Sequence, residues 1–172
     1  QLDRLAEGTL QRGVLRSRTA LVNRLRGLLA EYGLVRGQGV NTMRRALPEL
    51  LADAANGLSD RFRRLLRQGQ AELIELDAHL EALTAELKAA AKADEAAQRL
   101  QTIPGFGPIV AAVFAGALGT GNQYRRGRDA AAAVGLTPRQ HSSGGKNVLL
   151  GISKRGDRYL RSLLVHGARP EV

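Results

Sequence analysis

Residues 73–87 read LIELDAHLEALTAEL, and leucines recur in this stretch at alternating steps of three and four, at positions 73, 76, 80, 83 and 87. This spacing places the five side chains on one face of an α-helix, which is the pattern of a two-helix seam. Ser59 is a good N-cap, so we predict one long helix from Ser59 to about Ala93. Because the clean spacing covers only about two heptads, the partner is either a helix of the same chain or a second copy.

A second periodic segment, residues 10–32, is the candidate partner within the chain. Its apolar side chains recur at helical spacing, and Gly33 is a natural stop. Between the two segments we expect a short helix from Asn41, interrupted near Pro48, and another that ends around Gly57. Residues 1–93 are therefore predicted to form a helical hairpin or coiled-coil region.

Residues 103–108, Ile-Pro-Gly-Phe-Gly-Pro, join the end of one predicted helix to the start of the next. The turn resembles a helix-hairpin-helix, in which Gly105 and Gly107 would let the backbone approach a phosphate closely. The alternative is a plain helix-breaking turn. We predict an all-α or mostly α chain, with a helix-hairpin-helix-like C-terminal domain over residues 94–172.

Positive charge is concentrated at the C-terminal end of the 172-residue chain. The formal net charge is +10, and residues 123–172 hold ten Lys and Arg against three Asp and Glu. Clustered bases attract polyanions and release their counterions, so nucleic acid is the predicted partner. The bases form two groups besides Arg139 and Lys146: Arg125, Arg126 and Arg128, then Lys154, Arg155, Arg158 and Arg161. At steps of three, Arg155, Arg158 and Arg161 are expected to share one helix face.

Several classes of function are disfavoured by composition. The chain has no cysteine, which excludes thiol catalysis and thiolate metal sites, and its three histidines lack metal-ligand spacing. No metal site is therefore predicted in this chain. No apolar run reaches the length of a spanning helix, so we expect no membrane association and a cytoplasmic, nucleoid-associated location.

The stretch His141-Ser142-Ser143-Gly144-Gly145-Lys146 places two hydroxyls beside a glycine pair in the most basic part of the chain. A solvated turn would contain the same residue types. In these surroundings, however, the stretch is also a candidate site for phosphate chemistry.

The C-terminal motifs occur in a characteristic order. Residues 103–108 are followed by Gly-Arg-Asp-Ala-Ala at 127–131, by Gly-Leu-Thr-Pro-Arg-Gln-His-Ser-Ser-Gly-Gly-Lys at 135–146, and by Ile-Ser-Lys-Arg-Gly-Asp-Arg-Tyr-Leu-Arg at 152–161. This series resembles the C-terminal domain of the insertion-sequence one-hundred-and-ten (IS110) transposase family. Residues 18–33 are similar to that family's linker helix.

The resemblance implies a bacterial, RNA-guided DNA recombinase of a mobile element, with an N-terminal RNase-H-like acidic domain that this chain lacks. Mg²⁺ is implied only for that domain, and no cofactor is implied for this chain. In such an enzyme a serine attacks a DNA phosphodiester and holds the strand as a phosphoserine ester. Motif position assigns this role to Ser143, with Ser142 as the fallback, and Arg139 and Lys146 are the nearest groups that could stabilise charge on the phosphate.

The partners implied are DNA, a structured guide RNA, the acidic domain and further copies of the chain in a homo-oligomer. The chain alone is then expected to be inactive. The alternative from another class is a non-catalytic helix-hairpin-helix module that only binds nucleic acid. The charge pattern fits both.

Overall fold

The fold comes from a computed structural model, which describes residues 2–141 and 148–169. Within these residues it is almost entirely helical, with one small antiparallel sheet. The elements are, in order, α1 (Leu2–Glu31), α2 (Val40–Ala52), α3 (Asp60–Ala93), α4 (Glu95–Leu100), α5 (Pro108–Leu118), α6 (Gly127–Ala133), β1 (Pro138–Gln140), β2 (Leu149–Ile152) and α7 (Arg158–Gly167). The mostly α prediction is confirmed. None of the described helices combines the length and apolarity needed to cross a membrane.

Two compact units are present: the helical unit, residues 9–85, and the C-terminal unit, residues 1–8 and 86–172. The predicted domain boundary at residues 93 and 94 lies at the end of α3, a little beyond the point where contacts divide the chain. As a division between functional domains it stays a prediction.

In the helical unit, α1 and α3 pack side by side in opposite directions. Gln11 Nε2 donates to Thr84 Oγ1 over 3.2 Å, Arg18 Nη1 donates to Asp77 Oδ1 over 3.2 Å, and Leu25 packs against Gly69. Residue numbers rise along α1 as they fall along α3, which defines an antiparallel pair. The leucine face predicted on α3 thus finds a partner in the same chain, and a seam between copies stays a prediction.

The ends of α1 and α3 follow from local chemistry. The Ser59 hydroxyl accepts the Phe62 amide at 3.2 Å, which confirms the predicted N-cap of α3. Gly33 adopts a φ of 74° just after α1, a conformation that side chains disfavour, and it ends the helix as predicted. The helix α1 begins at Leu2, before the point near Leu10 from which its apolar periodicity is clear in the sequence.

The predicted break near Pro48 is wrong, because α2 continues through this proline to Ala52. A proline inside a helix removes one backbone hydrogen bond and crowds the carbonyl four residues earlier. Here the helix buries one continuous apolar face, formed by Met43, Ala46, Leu47 and Leu50. Burial of these side chains in the core shared with α1 and α3 offsets the lost hydrogen bond.

Arg63, on α3, is buried with 9% of its surface exposed, and its guanidinium group caps the C-terminal end of α2. It donates hydrogen bonds to the carbonyl oxygens of Leu50, Leu51, Asp53 and Leu58 and to Asn56 Oδ1, over 2.7 to 3.3 Å. The last carbonyls of a helix have no partners within it, so this side chain satisfies groups that burial would otherwise penalise.

We expect Arg63→Met to lower the free energy of unfolding by about 3 kcal/mol, because methionine fills the space but leaves buried carbonyl oxygens without donors. Urea denaturation followed by circular dichroism measures the loss. Arg64→Met is the matched control, since the neighbouring Arg64 is exposed and its replacement should change the value by no more than about 0.5 kcal/mol. Equal losses in both variants would contradict the capping role.

The C-terminal unit is built around α5, a short apolar helix whose residues 111–116 are all buried. Phe106 packs edge to face on Phe114, with ring centroids 5.5 Å apart, so both phenylalanines belong to the core of this unit. At Gly8 the start of α1 lies so close to Val113 that an added Cβ would be 2.5 Å from its Cγ2. Asp94 caps α4 by accepting the Ala96 amide at 2.7 Å, and Arg4 donates to the same carboxylate.

Candidate nucleic-acid interface

Strands β1 and β2 form a hairpin on either side of residues 142–147. Pro138 pairs with Ile152 and Gln140 with Leu149, with an irregular register between the two pairs. The pairing continues beyond the strands, because the His141 amide donates to the Val148 carbonyl oxygen over 3.1 Å. The two residues that flank the segment 142–147, His141 and Val148, therefore lie next to each other. Ser142, Ser143 and Lys146 lie outside the described residues.

The backbone of the segment that follows β2 packs closely against the backbone at the end of α6. The Lys154 amide donates to the Gly135 carbonyl oxygen over 3.1 Å. A Cβ on Gly135 would lie 1.8 Å from the Arg155 carbonyl oxygen, and one on Gly156 would lie 1.9 Å from that of Ala133. Both glycines have positive φ, so only glycine fits this crossing of two backbones.

A first basic concavity, the hairpin depression, lies at the base of the hairpin and has a volume of about 550 Å³. Two arginines, Arg139 and Arg155, line it together with His141. Thr137 and Ser153 also line it. None of the described residues that line it is acidic.

A second basic concavity, the α7 depression, lies along the terminal helix and has a volume of about 320 Å³. Its basic side chains are those of Lys154, Arg158, Arg161 and Arg169, with His166 beside them. Here too the lining contains no acidic residue among those described. Arg161 is partly committed to the fold, because its Nη1 donates to the Val134 carbonyl oxygen over 2.9 Å and so caps the end of α6.

The prediction that Arg155, Arg158 and Arg161 share one helix face is wrong for Arg155. The Asp157 carboxylate accepts the amides of Tyr159 at 2.6 Å and Leu160 at 3.0 Å, which makes it the N-cap and starts α7 at Arg158. Arg155 lies before the helix and lines the hairpin depression instead.

Lys154 and Arg155 are adjacent in sequence but line different depressions. Lys154 adopts a φ of 55°, which is rare for a residue with a side chain and turns the chain between them. The backbone contacts of Gly135 and Gly156 hold this turn in place.

The other predicted binding residues lie apart from these depressions. Arg125, Arg126 and Arg128 are exposed around the start of α6 and line neither concavity. Gly105 meets the last turn of α7, since an added Cβ would lie 1.8 Å from the Gly167 carbonyl oxygen. Gly107 precedes α5 as its N-cap, with no atom within 4 Å of where its Cβ would be.

Two contributors were not among the predicted site residues. His141 lines the hairpin depression next to Arg139, and Arg169 lines the α7 depression. Arg169 follows the C-cap of α7, Ala168, so helical spacing in the sequence could not place it in this depression. The placement of His141 depends on the hairpin, which the sequence did not predict.

The described residues hold no cluster of three acidic or histidine side chains that could bind a metal. No step through a metal is assigned to this part of the chain.

Comparison with known proteins identifies a family for the C-terminal region. Residues 97–172, which contain the hairpin and both depressions, match the family described as Transposase IS116/IS110/IS902. This region belongs to the IS110 transposase family. The family resemblance expected from the sequence is thereby confirmed.

Three relatives align with the chain nearly end to end. They are the transposase for insertion sequence element IS1111A of Coxiella burnetii (49% identical, covering 91% of this chain and 43% of the relative), a probable family 20 transposase of Pseudomonas aeruginosa (44%, covering 92% and 47%) and the transposase for insertion sequence element IS1328 of Yersinia enterocolitica (40%, covering 91% and 46%). The chain thus spans less than half the length of these IS110-type relatives.

Proposed function

We propose that this chain is the part of an IS110-type transposase that binds DNA and supplies the serine nucleophile for strand cleavage and rejoining, with Ser143 in that role and Ser142 as the fallback. The main support is that the family-matched region carries two basic depressions, with no acidic residue among their described lining residues, next to the hairpin that brackets residues 142–147. Such surfaces attract the phosphate backbone.

The proposed reaction is a phosphoryl transfer with a covalent intermediate. The Ser143 oxygen forms a bond to phosphorus, and the bond from phosphorus to one deoxyribose oxygen breaks. The serine proton passes to a base or to water, and the departing oxygen takes up a proton. Rejoining reverses these steps, because a deoxyribose hydroxyl of another strand attacks the phosphoserine and releases the serine.

A neutral hydroxyl is a weak nucleophile, so cations that stabilise the charge developing on the phosphate must supply much of the rate. Arg139 and Lys146 flank the serines in sequence. The structure adds that Arg139 shares its concavity with further cationic and polar groups.

Other parts of the proposal rest on the family alone. They are a structured guide RNA as partner, an acidic domain that carries Mg²⁺, assembly into a homo-oligomer, and work in the bacterial cytoplasm at the nucleoid. In this proposal the complete protein is an enzyme, and the chain by itself is inactive.

The second candidate is a helix-hairpin-helix module that binds nucleic acid without catalysis. The exposed position of Gly107 at the N-terminus of α5 favours it, because no described residue except its chain neighbours lies within 4 Å of an added Cβ, which leaves room for a phosphate near the backbone. The two candidates differ in one observable, since only the first forms a covalent adduct between protein and DNA.

We expect this chain to bind duplex DNA with an affinity that falls steeply with salt. A variant with Lys154, Arg158 and Arg169 changed to Gln should bind more weakly and lower the slope of log K against log salt by about 2 to 3, since each phosphate contact contributes about 0.9. Fluorescence anisotropy of a labelled duplex measures both quantities. Arg161 is left intact because it caps α6.

The matched control removes the same charge elsewhere, by changing Arg61, Arg64 and Arg67 to Gln on the exposed side of α3. Its slope should stay within about one unit of wild type. If both triple variants lose the same affinity and slope, only net charge matters and the α7 depression is not a binding site. A four-way junction and a structured RNA in the same titration compare the proposed partners.

A further inference from the structure

We propose that the hairpin depression holds the phosphate group that reacts, with Arg155 as its principal charge-stabilising residue beside Arg139. The α7 depression would then hold the neighbouring backbone and contribute affinity. This assignment rests on the proposed function and divides the basic residues of that function into two roles.

Charge is the first argument. Arg139 and Arg155 both line one concavity, and none of its described lining residues carries a carboxylate. Among the described residues, neither guanidinium takes part in an ion pair, whereas Arg4, Arg18, Arg44 and Arg99 each have an acidic partner. Two like charges in one concavity repel each other, and an anion placed between them removes that cost. A phosphate also matches the planar, two-pronged donor geometry of arginine.

Rigidity is the second argument. The carbonyl oxygen of Arg155 lies against Gly135, and the Arg155 amide donates to Ser153 Oγ over 3.4 Å. The preceding residue, Lys154, has a positive φ. Backbone strain of this kind costs on the order of 1–3 kcal/mol and persists only where the surrounding structure enforces it. A fixed backbone limits the positions open to the side chain, which is what preorganised stabilisation of a transition state requires.

The neighbouring polar groups are the third argument. Thr137 and Ser153 line the same concavity, and the Ser153 amide donates to the Thr137 carbonyl oxygen over 2.8 Å. Their hydroxyls can each donate a hydrogen bond to a phosphate oxygen, and the His141 imidazole can donate another. Two cations and three further donors suit a tetrahedral oxyanion better than a base edge or a carboxylate.

Inorganic phosphate is the first probe, added to the full chain at constant ionic strength and followed by ¹H–¹⁵N NMR. We expect saturable shifts of the His141, Ser153 and Arg155 amides with a Kd in the mM range, weakened at least about tenfold in Arg155→Gln. Arg158→Gln is the matched control, since it removes the same charge from the α7 depression and should leave these shifts unchanged. Equal phosphate binding in wild type and Arg155→Gln would overturn the assignment. Thermal unfolding is the check that both variants are folded.

Strand cleavage by the complete transposase is the second probe. Arg155→Gln should slow single-turnover cleavage by about 10²–10³ fold, the usual cost of losing one group that stabilises developing charge, while DNA affinity stays within about threefold. Arg155→Lys should recover part of that rate, because it keeps the charge but not the two-pronged geometry. Arg158→Gln should weaken DNA affinity, and Arg64→Gln, on the exposed side of α3, is the control that should leave the cleavage rate unchanged.

A loss of affinity without a loss of rate in Arg155→Gln would overturn the division into two roles. If the wild-type protein itself forms no adduct, the proposed serine chemistry fails. The phosphate titration still decides whether the hairpin depression is an anion site, so the two failures are distinguishable.

Discussion

Ser143→Ala should abolish the covalent protein–DNA adduct of the complete transposase and lower strand cleavage by at least about 10³ fold. Alanine lacks the oxygen that would form the bond to phosphorus. DNA affinity should stay within a few-fold of wild type, because the two basic depressions lie on other residues.

The adduct is measured as a labelled, denaturation-resistant band on a nicked DNA substrate. Ser142→Ala is the matched control, since it removes the adjacent hydroxyl and should leave the adduct in place. An adduct that is lost only in Ser142→Ala would move the nucleophile to that residue. An adduct that survives in both variants would end the serine assignment, and its absence from the active wild-type protein would favour the non-catalytic binding module.

Gly135→Ala should lower the free energy of unfolding by about 4 kcal/mol or more, which is among the largest losses expected of a single methyl group. The new Cβ would lie 1.8 Å from the Arg155 carbonyl oxygen, so one of two backbone segments must move. The φ of 73° adds strain, because an alanine in this conformation costs roughly 1–2 kcal/mol relative to its preferred regions. Where the chain still folds, Arg155 should be displaced and the phosphate titration should show weaker binding.

Gly127→Ala is the control for this variant. Gly127 begins the same helix, α6, has no positive φ, and has no atom within 4 Å of the added Cβ. Its replacement should change stability by no more than about 1 kcal/mol and leave phosphate binding unchanged. Urea denaturation compares the two variants. If Gly135→Ala proves as stable as Gly127→Ala, the crossing of the two backbones does not hold the hairpin depression together.

Local sequence signals predicted most of the helices. Leucine spacing together with the cap at Ser59 defined α3, and Gly33 defined the end of α1, because each depends on interactions within a few residues of itself. The same reasoning failed at Pro48. A local rule counts the hydrogen bond that proline removes, but not the apolar face that α2 buries against α1 and α3.

The candidate site was predicted only in part. Charge clustering pointed to the C-terminal third of the chain, where Arg139, Lys154, Arg158 and Arg161 line basic depressions. Arg155 was assigned to the wrong group, because spacing by three implies a shared face only inside a helix. The cap at Asp157 starts that helix after Arg155.

By itself, the sequence determined what depends on neighbours in the chain: a mostly helical fold, the positions of caps and stops, a basic C-terminal third, and an ordered set of motifs that belongs to the IS110 family. Only the tertiary structure decided that adjacent residues Lys154 and Arg155 serve different concavities and that Gly135 and Gly156 fix the turn between them. The reason is physical. Caps and periodic faces are short-range, whereas the crossing of two backbones depends on contacts between segments about twenty residues apart, and no local pattern encodes those contacts.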